Sequence, residues 1–326
     1  MYVKRILVLA LTLVMGILAM LPLGAKAEDG YIKYAEFNVT YKALCDALEA
    51  DIESYGSDAH ISWIDLLSFL GARYGGDFSK YRTAHLREYE KRLSEGEAAE
   101  EIGKELKYYD YYKQVYTAVL GGFLSEYTVQ EKDAEGNIKE SVQYGLAVYS
   151  PIAAGFAYSH YDDFGADRSY GYKRQHLGHD MMASVGTPVV AIEDGTVEAM
   201  GWNEYGGWRV GIRSHDKLRY YYYAHLRQNR PYHADLQEGA EVKAGQVIGY
   251  VGRTGYSKEE NVNGIETNHL HLGLELIFDE SQKESSNEIW VDLYAITKLL
   301  DSHKSKVTRV ARTKEFYGEN QIAPEE

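Results

Sequence analysis

The sequence predicts an α+β chain, an N-terminal helical region followed by an antiparallel all-β half of sandwich or barrel-like form. Three observations carry this reading. Up to about residue 125, apolar side chains recur at helical spacings. From Tyr149 on, the chain changes to short β-rich runs broken by Gly turns. In that second half, histidines and one aspartate fall on runs that alternate polar and apolar residues. At 326 residues the chain is long enough for two domains with sizeable cores.

The elements follow in order. Residues 1–27 read as a secretory signal. Lys4 and Arg5 give the charged start, Ile6–Met20 the apolar run, and Ala25-Lys26-Ala27 a small-x-small cleavage site. The competing reading is an uncleaved membrane anchor, because Ile6–Leu23 is nearly long enough to span a bilayer. Pro22 followed by Ala-x-Ala favours cleavage and export.

Residues 28–126 read as a helical domain. Leu44, Leu48 and Ile52 recur at spacings of four. Ile61, Ile64, Leu67, Phe69 and Leu70 predict a second helix, with Asp58 as its N-cap and Gly71 with Gly75-Gly76 at its end. Tyr81–Leu93 predicts a charged amphipathic helix. Ile102–Leu120 predicts another, with Leu106, Tyr109, Val115 and Val119 as its buried stripe. This region contains no cluster of chemistry-bearing residues, no heptad and no repeat.

Residues 127–148 read as a connecting hairpin, with Asp133–Asn137 as its turn. The β half is assigned to 149–280. There, Val189–Ile192 and Thr196–Met200 flank Asp194-Gly195 and predict a tight hairpin. Trp208–Arg213 and Leu218–Leu226 predict a second hairpin around Ser214–Lys217, and Glu241–Gly252 two more short strands. Residues 281–326 read as a C-terminal extension, helical over Ile289–Leu300 and frayed over Asn320–Glu326.

Composition narrows the function. The formal charge of −14, from 49 acidic and 35 basic residues, disfavours nucleic acid or an anionic lipid surface as partner. The single cysteine, Cys45, forms no internal disulfide and reads as a structural thiol on a helix. The 30 tyrosines suit contacts to sugars or peptides, although most serve ordinary packing.

The chemistry is concentrated in His176-Leu177-Gly178-His179-Asp180 and His269-Leu270-His271. On a strand, His269 and His271 point to the same side, roughly 6.5–7 Å apart. His176 and Asp180 are four residues apart, so either a strand or a helix aims them the same way. Two imidazoles and a carboxylate, with a fourth position left to water, make a plausible catalytic zinc site. Gly178 and Gly273 beside them read either as room for close backbone approach or as ordinary strand geometry.

These segments, with Tyr222-Tyr223-Ala224-His225-Leu226 between them, resemble the lysostaphin and LytM-like zinc metalloendopeptidases that cut bacterial cell-wall peptides. The resemblance runs from near Tyr149 to near Phe278 and rests on three pieces in order: His-x-x-x-Asp, a histidine after a Tyr-rich strand, and His-x-His. It implies a LytM-type peptidase domain over 149–280. It gives His176, Asp180 and His271 the role of Zn²⁺ ligands, and His225 and His269 that of catalytic partners. One of the two would take a proton from the attacking water and the other would hydrogen-bond the oxyanion or leaving nitrogen, with the assignment left open. The implied substrate is a peptidoglycan stem peptide or cross-bridge, and the implied location is secreted or cell-wall associated in a bacterium. The alternative in the same fold is a latent or non-catalytic activator of other wall hydrolases, with the helical region lying over the cleft.

Other features are weighed against that frame. Alternation over Leu218–Leu226 puts Tyr221, Tyr223 and His225 on one face. His179 faces away from the ligand side, with a supporting role as the lesser reading. His160 reads as an exposed loop histidine near a cleft rim, His215 as a hairpin tip, and His233 as a member of a polar loop. His60, His85 and His303 read as solvent-facing. The polar segment Arg253–Asn268 is longer than the resemblance implies, and either walls the cleft or is a solvated loop. A likeness to biotinyl and lipoyl carrier modules fails on chemistry, because the tip at Asp194-Gly195 has no lysine.

Overall fold

The computed structural model describes residues 30–132, 138–283 and 285–318, and the residues from Tyr34 on make one compact unit. The predicted signal and the Asn320–Glu326 tail lie outside the described residues, as does the hairpin turn at Asp133–Asn137.

The helical region comprises α1 (Tyr41–Ser54), α2 (Trp63–Tyr74), α3 (Thr83–Ser94), α4 (Ala99–Lys104) and α5 (Tyr109–Leu120). The buried stripe of α1 is Ala43, Leu44, Ala47, Ala50 and Asp51, while Ile52 is 41% exposed, so the expected Leu44–Leu48–Ile52 face is rotated. Asp51 explains the rotation. Its carboxylate accepts from the Trp63 N–H (2.8 Å), the Tyr144 hydroxyl (2.8 Å) and His60 Nε2 (2.8 Å). It thereby satisfies a donor at the start of α2, and Asp58 does not cap that helix. Gly75 ends α2 in the left-handed region (φ 64°), as expected. Gly71 instead lies inside the helix, where an added Cβ would stand 2.9 Å from both Tyr112 Cδ1 and Tyr116 Oη, so α2 and α5 approach closely there. The single helix expected over Ile102–Leu120 is broken at Tyr108 (φ 69°), which turns α5 so that Tyr109 stacks on Phe69 and bonds to Asp65 (2.8 Å).

After the hairpin of β1 (Leu124–Lys132) and β2 (Ile138–Leu146), the chain builds the β half. Its strands are β3 (Tyr158–Tyr161), β4 (Asp167–Arg168), β5 (Arg174–Gln175), β6 (His179–Ala183), β7 (Pro188–Val190), β8 (Gly195–Asn203), β9 (Gly207–Ser214), β10 (Arg219–Ala224), β11 (Glu241–Val242), β12 (Val247–Tyr250), β13 (His269–Leu276) and β14 (Ile289–Trp290). The main sheet is antiparallel in the order β11-β8-β9-β10-β13-β6-β3, with β14 also on β13, and it does not close into a barrel. A two-stranded sheet, β12-β7, packs Val190, Val247 and Tyr250 with Ala153 into a second layer. The helix α6 (Tyr294–Leu300) and the hairpin of β15 (Val307–Arg309) and β16 (Phe316–Gly318) complete the described chain. The expected helix over Ile289–Leu300 therefore starts only at Tyr294, because Ile289 and Trp290 pair with Leu276 and Glu275 as a short strand.

The expected β hairpin at Asp194-Gly195 is overturned. β7 pairs with β12, and β8 pairs with β9 and β11. A type I′ turn needs left-handed backbone at both central residues, and neither residue has it. The Asp194 carboxylate instead accepts from Ala244 N–H (2.8 Å) and Lys243 Nζ (2.7 Å), and Gly195 packs flat against the Arg213 carbonyl, 2.4 Å from where a Cβ would stand. The β9–β10 hairpin forms as expected, with Lys217 at φ 64°.

Arg219, 2% exposed, joins the two halves. Its guanidinium donates to both Glu193 oxygens (2.6 and 3.1 Å), to Asp216 (2.8 Å), and to the Ala118 carbonyl near the end of α5 (2.8 Å). Removing it leaves a buried carboxylate and a helix carbonyl unpaired. Arg219→Met is expected to lower stability by about 3–5 kcal/mol in denaturant titration, and Glu193→Gln added to it to restore part of that loss.

Candidate metal centre and its cleft

β13 enters the sheet between β10 and β6, and its register sets His271 opposite Asp180 on one side and Ala224 on the other. Alternation then lays His269, His271, Gly273 and Glu275 along the same face. His176 stands just after β5, its N–H on the Ala166 carbonyl (2.8 Å) and its C=O on the Gly165 N–H (2.7 Å). These segments bring three donor atoms together. His176 Nε2 lies 2.9 Å from His271 Nδ1 and 3.1 Å from Asp180 Oδ1, and His271 Nδ1 lies 3.1 Å from Asp180 Oδ1. His176, Asp180 and His271 form a group able to hold a metal ion. A circle through three points so spaced has a radius of about 1.8 Å, below the zinc bond length of about 2.0–2.2 Å, so one ion can reach all three.

The protonation states suit that role. His176 Nδ1 faces Asp163, 3.0 Å from its carboxylate and 3.2 Å from its carbonyl, which places the proton there and leaves Nε2 bare. Burial lowers the His271 pKa, which keeps the ring neutral, although Asp180 beside it pulls the other way. Burial opposes the charge on Asp180, but the surrounding rings of His176, His271 and His269 outweigh it and hold the carboxyl well below its usual range. Neutral imidazoles and an ionised carboxylate are the states a metal requires. Arg168 donates to Asp163 and, at 3.2 Å, to the other Asp180 oxygen.

His225 and His269 stand beside the trio. Their ring centroids are 4.8 Å apart, and His225 is 5.7 Å from His271. His225 Nδ1 bonds to the Thr254 carbonyl (2.9 Å) and His269 Nδ1 to the Thr267 carbonyl (2.8 Å). A carbonyl only accepts, so each Nδ1 carries a proton, and in the neutral ring the lone pair is left on Nε2. His269 Nε2 is 3.7 Å from Asp180 Oδ1. Burial, and then His269 and His271, push the pKa of His225 well below the usual imidazole range.

The structure corrects the expected face of His225. Tyr221 and Tyr223 are buried in the core, whereas Tyr220, Tyr222 and His225 line the cleft. His225 follows β10 with φ 59°, its N–H on the Gly206 carbonyl (2.8 Å), and this left-handed residue swings the ring from the core side to the cleft side. His160 is also corrected. It sits half-buried on β3, where Nδ1 meets His179 Nε2 (2.8 Å) and Nε2 meets Asp301 (2.9 Å). His179 does face away from the trio, and burial, then His160, lower its pKa to about 3. His233 lies in the loop after His225, as expected, but its side chain is buried there. His60, His85 and His303 are bonded to Asp51, the Tyr74 hydroxyl and the Val148 carbonyl.

Sequence reasoning missed Asp163 and Arg168, which stand in loop or two-residue strand and carry no periodic signal. It also missed the carbonyls of Thr254 and Thr267, which no side-chain pattern can announce. Arg253–Asn268 does wall the cleft, through Tyr256, which stacks on Tyr170 at 4.5 Å. The cavity measures about 800 Å³. It runs from the histidines past Tyr205 and Tyr222 to Glu198, Glu275, Lys283, Glu288 and Trp290. Among the described residues its lining spans Arg168 to Trp290, so no part of the helical region covers it.

The trio of His176, Asp180 and His271, with two further histidines beside it on an open antiparallel sheet, is thus a group of donors able to hold a metal ion. Residues 174–284 match the model of Peptidase family M23. It is 38% identical over 124 residues to the L-Ala–D-Glu endopeptidase of Bacillus subtilis (strain 168), covering 38% of this chain and 36% of that one. It is 40% identical over 83 residues to lysostaphin of Staphylococcus simulans, 25% and 16% of the two chains. The chain thus spans about a third or less of the length of these relatives. The crystal structure of a LytM protein of Ruminococcus gnavus superposes with a TM-score of 0.51 at 24% identity, covering 83% of this chain and 91% of that one, a likeness of fold.

Two predictions follow from this geometry. A Cβ at Gly178 would stand 2.5 Å from His271 Cε1 and 2.7 Å from the Leu272 carbonyl, so Gly178→Ala must displace β13. The variant is expected to lose about 1–3 kcal/mol in thermal unfolding and to bind zinc at least about tenfold more weakly in competition with a chromophoric chelator. The second prediction concerns Glu275. Burial, then the charge of Glu288, raise its pKa from 4.5 to about 7. The folded state therefore holds this proton more tightly than the unfolded chain, so the residue costs stability as pH rises from 4.5 through 7. Glu275→Gln is expected to raise the urea midpoint near pH 8 and leave it unchanged near pH 4.

Proposed function

We propose that the chain is an exported zinc-dependent endopeptidase that hydrolyses peptide bonds in peptidoglycan stem peptides or cross-bridges, with water as the nucleophile. The observation that carries this reading is the convergence of His176 Nε2, Asp180 Oδ1 and His271 Nδ1 within 3.1 Å of one another. The names of the relatives, an L-Ala–D-Glu endopeptidase and lysostaphin, support the substrate class. Export rests on the charged start, apolar run and Ala-x-Ala of residues 1–27.

In this reading His176, Asp180 and His271 hold the ion. When bound, zinc supplies Lewis-acid polarisation of a carbonyl and acidifies water. His225 and His269 offer Nε2 lone pairs towards the reacting centre, one to take a proton and the other, once protonated, to donate to the oxyanion or leaving nitrogen. Their Nδ1–H bonds to Thr254 and Thr267 fix both tautomers before substrate arrives. Arg168 and Asp163 hold the carboxylate and the first imidazole in place. Tyr205, Tyr222 and Tyr256 flank the peptide with flat faces and polar tips.

The test is clearance of purified cell walls by the chain, with and without a chelator. Clearance is expected to stop on chelation and to return with added zinc. His271→Ala is expected to lose both bound zinc and clearance. His225→Ala is expected to keep zinc and to lose about 10²–10⁴-fold in rate. Clearance that persists in His271→Ala would refute the proposal.

A further inference from the structure

The cavity continues beyond the histidines, and its far part has a chemistry of its own. Glu275 is four residues along β13 from His271, about 13 Å away at the strand rise, on the same face. It is 4% exposed and lines the cavity, and among the described residues its Oε1 has no hydrogen-bond partner. A buried acceptor without a donor is costly and calls for a specific reason.

Arg213 and Lys283, the cations near Glu275, make their hydrogen bonds to other groups. Glu198 accepts from Arg213 Nε (2.8 Å) and from Lys283 Nζ, and Lys283 is also 3.9 Å from Glu280. A second carboxylate, Glu288, lines the same end of the cavity and holds the Trp290 indole N–H (2.9 Å). Trp290 lies over Gly273, its Cζ3 2.6 Å from where a Cβ would stand, so glycine there lets the indole form a flat apolar wall between the histidines and Glu275. The result is an apolar wall leading to two acidic groups, one of them lacking a donor. A straight aliphatic stem ending in a positive charge has the matching shape.

We infer that this end of the cavity is a recognition site for a primary ammonium on the substrate peptide, carried by lysine or another diamino acid, with Glu275 as its counter-ion. The inference rests on the peptidase reading and specifies its substrate class. An ammonium offers three donors, enough for Glu275 Oε1 and for Glu288 together. The distance suits it. About 13 Å is spanned by roughly two residues of extended peptide and the aliphatic stem of the side chain, so the charged residue lies close to the bond that is cut. Arg209 lines the same cavity with its Nη1 buried and unpartnered, and supplies a donor for a carbonyl or carboxylate of the same peptide.

The experiment uses the full chain and two synthetic peptidoglycan stem peptides, identical except that the lysine Nε is free in one and acetylated in the other. Cleavage is followed with zinc, and binding by calorimetry in chelator, where turnover does not interfere. For the wild type the acetylated peptide is expected to show at least about tenfold lower kcat/KM and at least about tenfold weaker binding. In Glu275→Gln the ratio between the two peptides is expected to fall to about one. Equal affinities of the wild type for both peptides would overturn the inference and leave the peptidase reading intact. Ammonium-dependent binding without cleavage of either peptide would support the recognition site and count against the peptidase reading. If Glu275→Gln does not fold, the two peptides on the wild type alone decide.

Discussion

The register of β13 against β6 is the constraint on which the site depends. It sets His271 opposite Asp180 and, by alternation, His269 and Glu275 on the same face. A slip of one residue would turn His269, His271 and Glu275 into the core and bring Leu270, Leu272 and Leu274 to the cleft. The core prevents this slip, because those three leucines are fully buried under the sheet. The energy that fixes the geometry of the metal trio is thus mainly apolar burial on the opposite face, not attraction among the ligands. The donors need only to be presented, and the sheet presents them.

Electrostatics then sets the state of each group. The site gathers His176, His225, His269 and His271 around one carboxylate, and a set of imidazolium ions there would repel. Burial keeps His225 and His271 neutral. Backbone carbonyls of Thr254 and Thr267 and the Asp163 loop choose which nitrogen holds each proton. Every one of these acceptors comes from a loop pinned by backbone hydrogen bonds, such as Gly165 N–H to His176 C=O. The protein's own backbone thus fixes the tautomers that a metal and a proton transfer require.

Much of this was legible in the sequence, for identifiable reasons. The ligand set could be read because strand alternation and spacing are local, and His269, His271 and Asp180 obey them. The helices could be placed because their apolar spacing is local as well. The failures occur where a distant partner overrides a local rule. Asp51 takes the cap that Asp58 was expected to make, because Trp63, His60 and Tyr144 converge on it. Asp194-Gly195 looked like a hairpin tip, yet Lys243 and Ala244 claim the aspartate. Tyr221, Tyr223 and His225 share a period of two, yet one left-handed residue removes His225 from that face. Asp163, Arg168 and the Thr254 carbonyl act only through tertiary approach, so no pattern in the chain marks them.

The two ends of the cavity divide the work in a way that follows from their supports. Asp180, His269 and His271 rest on strands β6 and β13, each paired on both sides. The walls come from segments free to differ in length and side chain: Tyr205 from the β8–β9 turn, Tyr256 from the long loop before β13, Lys283 and Glu288 from the segment between β13 and β14. Other wall residues stand on strands, Glu198 on β8, Arg209 on β9 and Tyr222 on β10, but Glu275 shares its strand with His269 and His271. A charge placed there is held at a fixed distance from His271 by the strand itself, so whatever it binds is registered against the reacting centre without help from a mobile loop. That coupling is the physical reason to look for selectivity at Glu275 before looking for it in the loops.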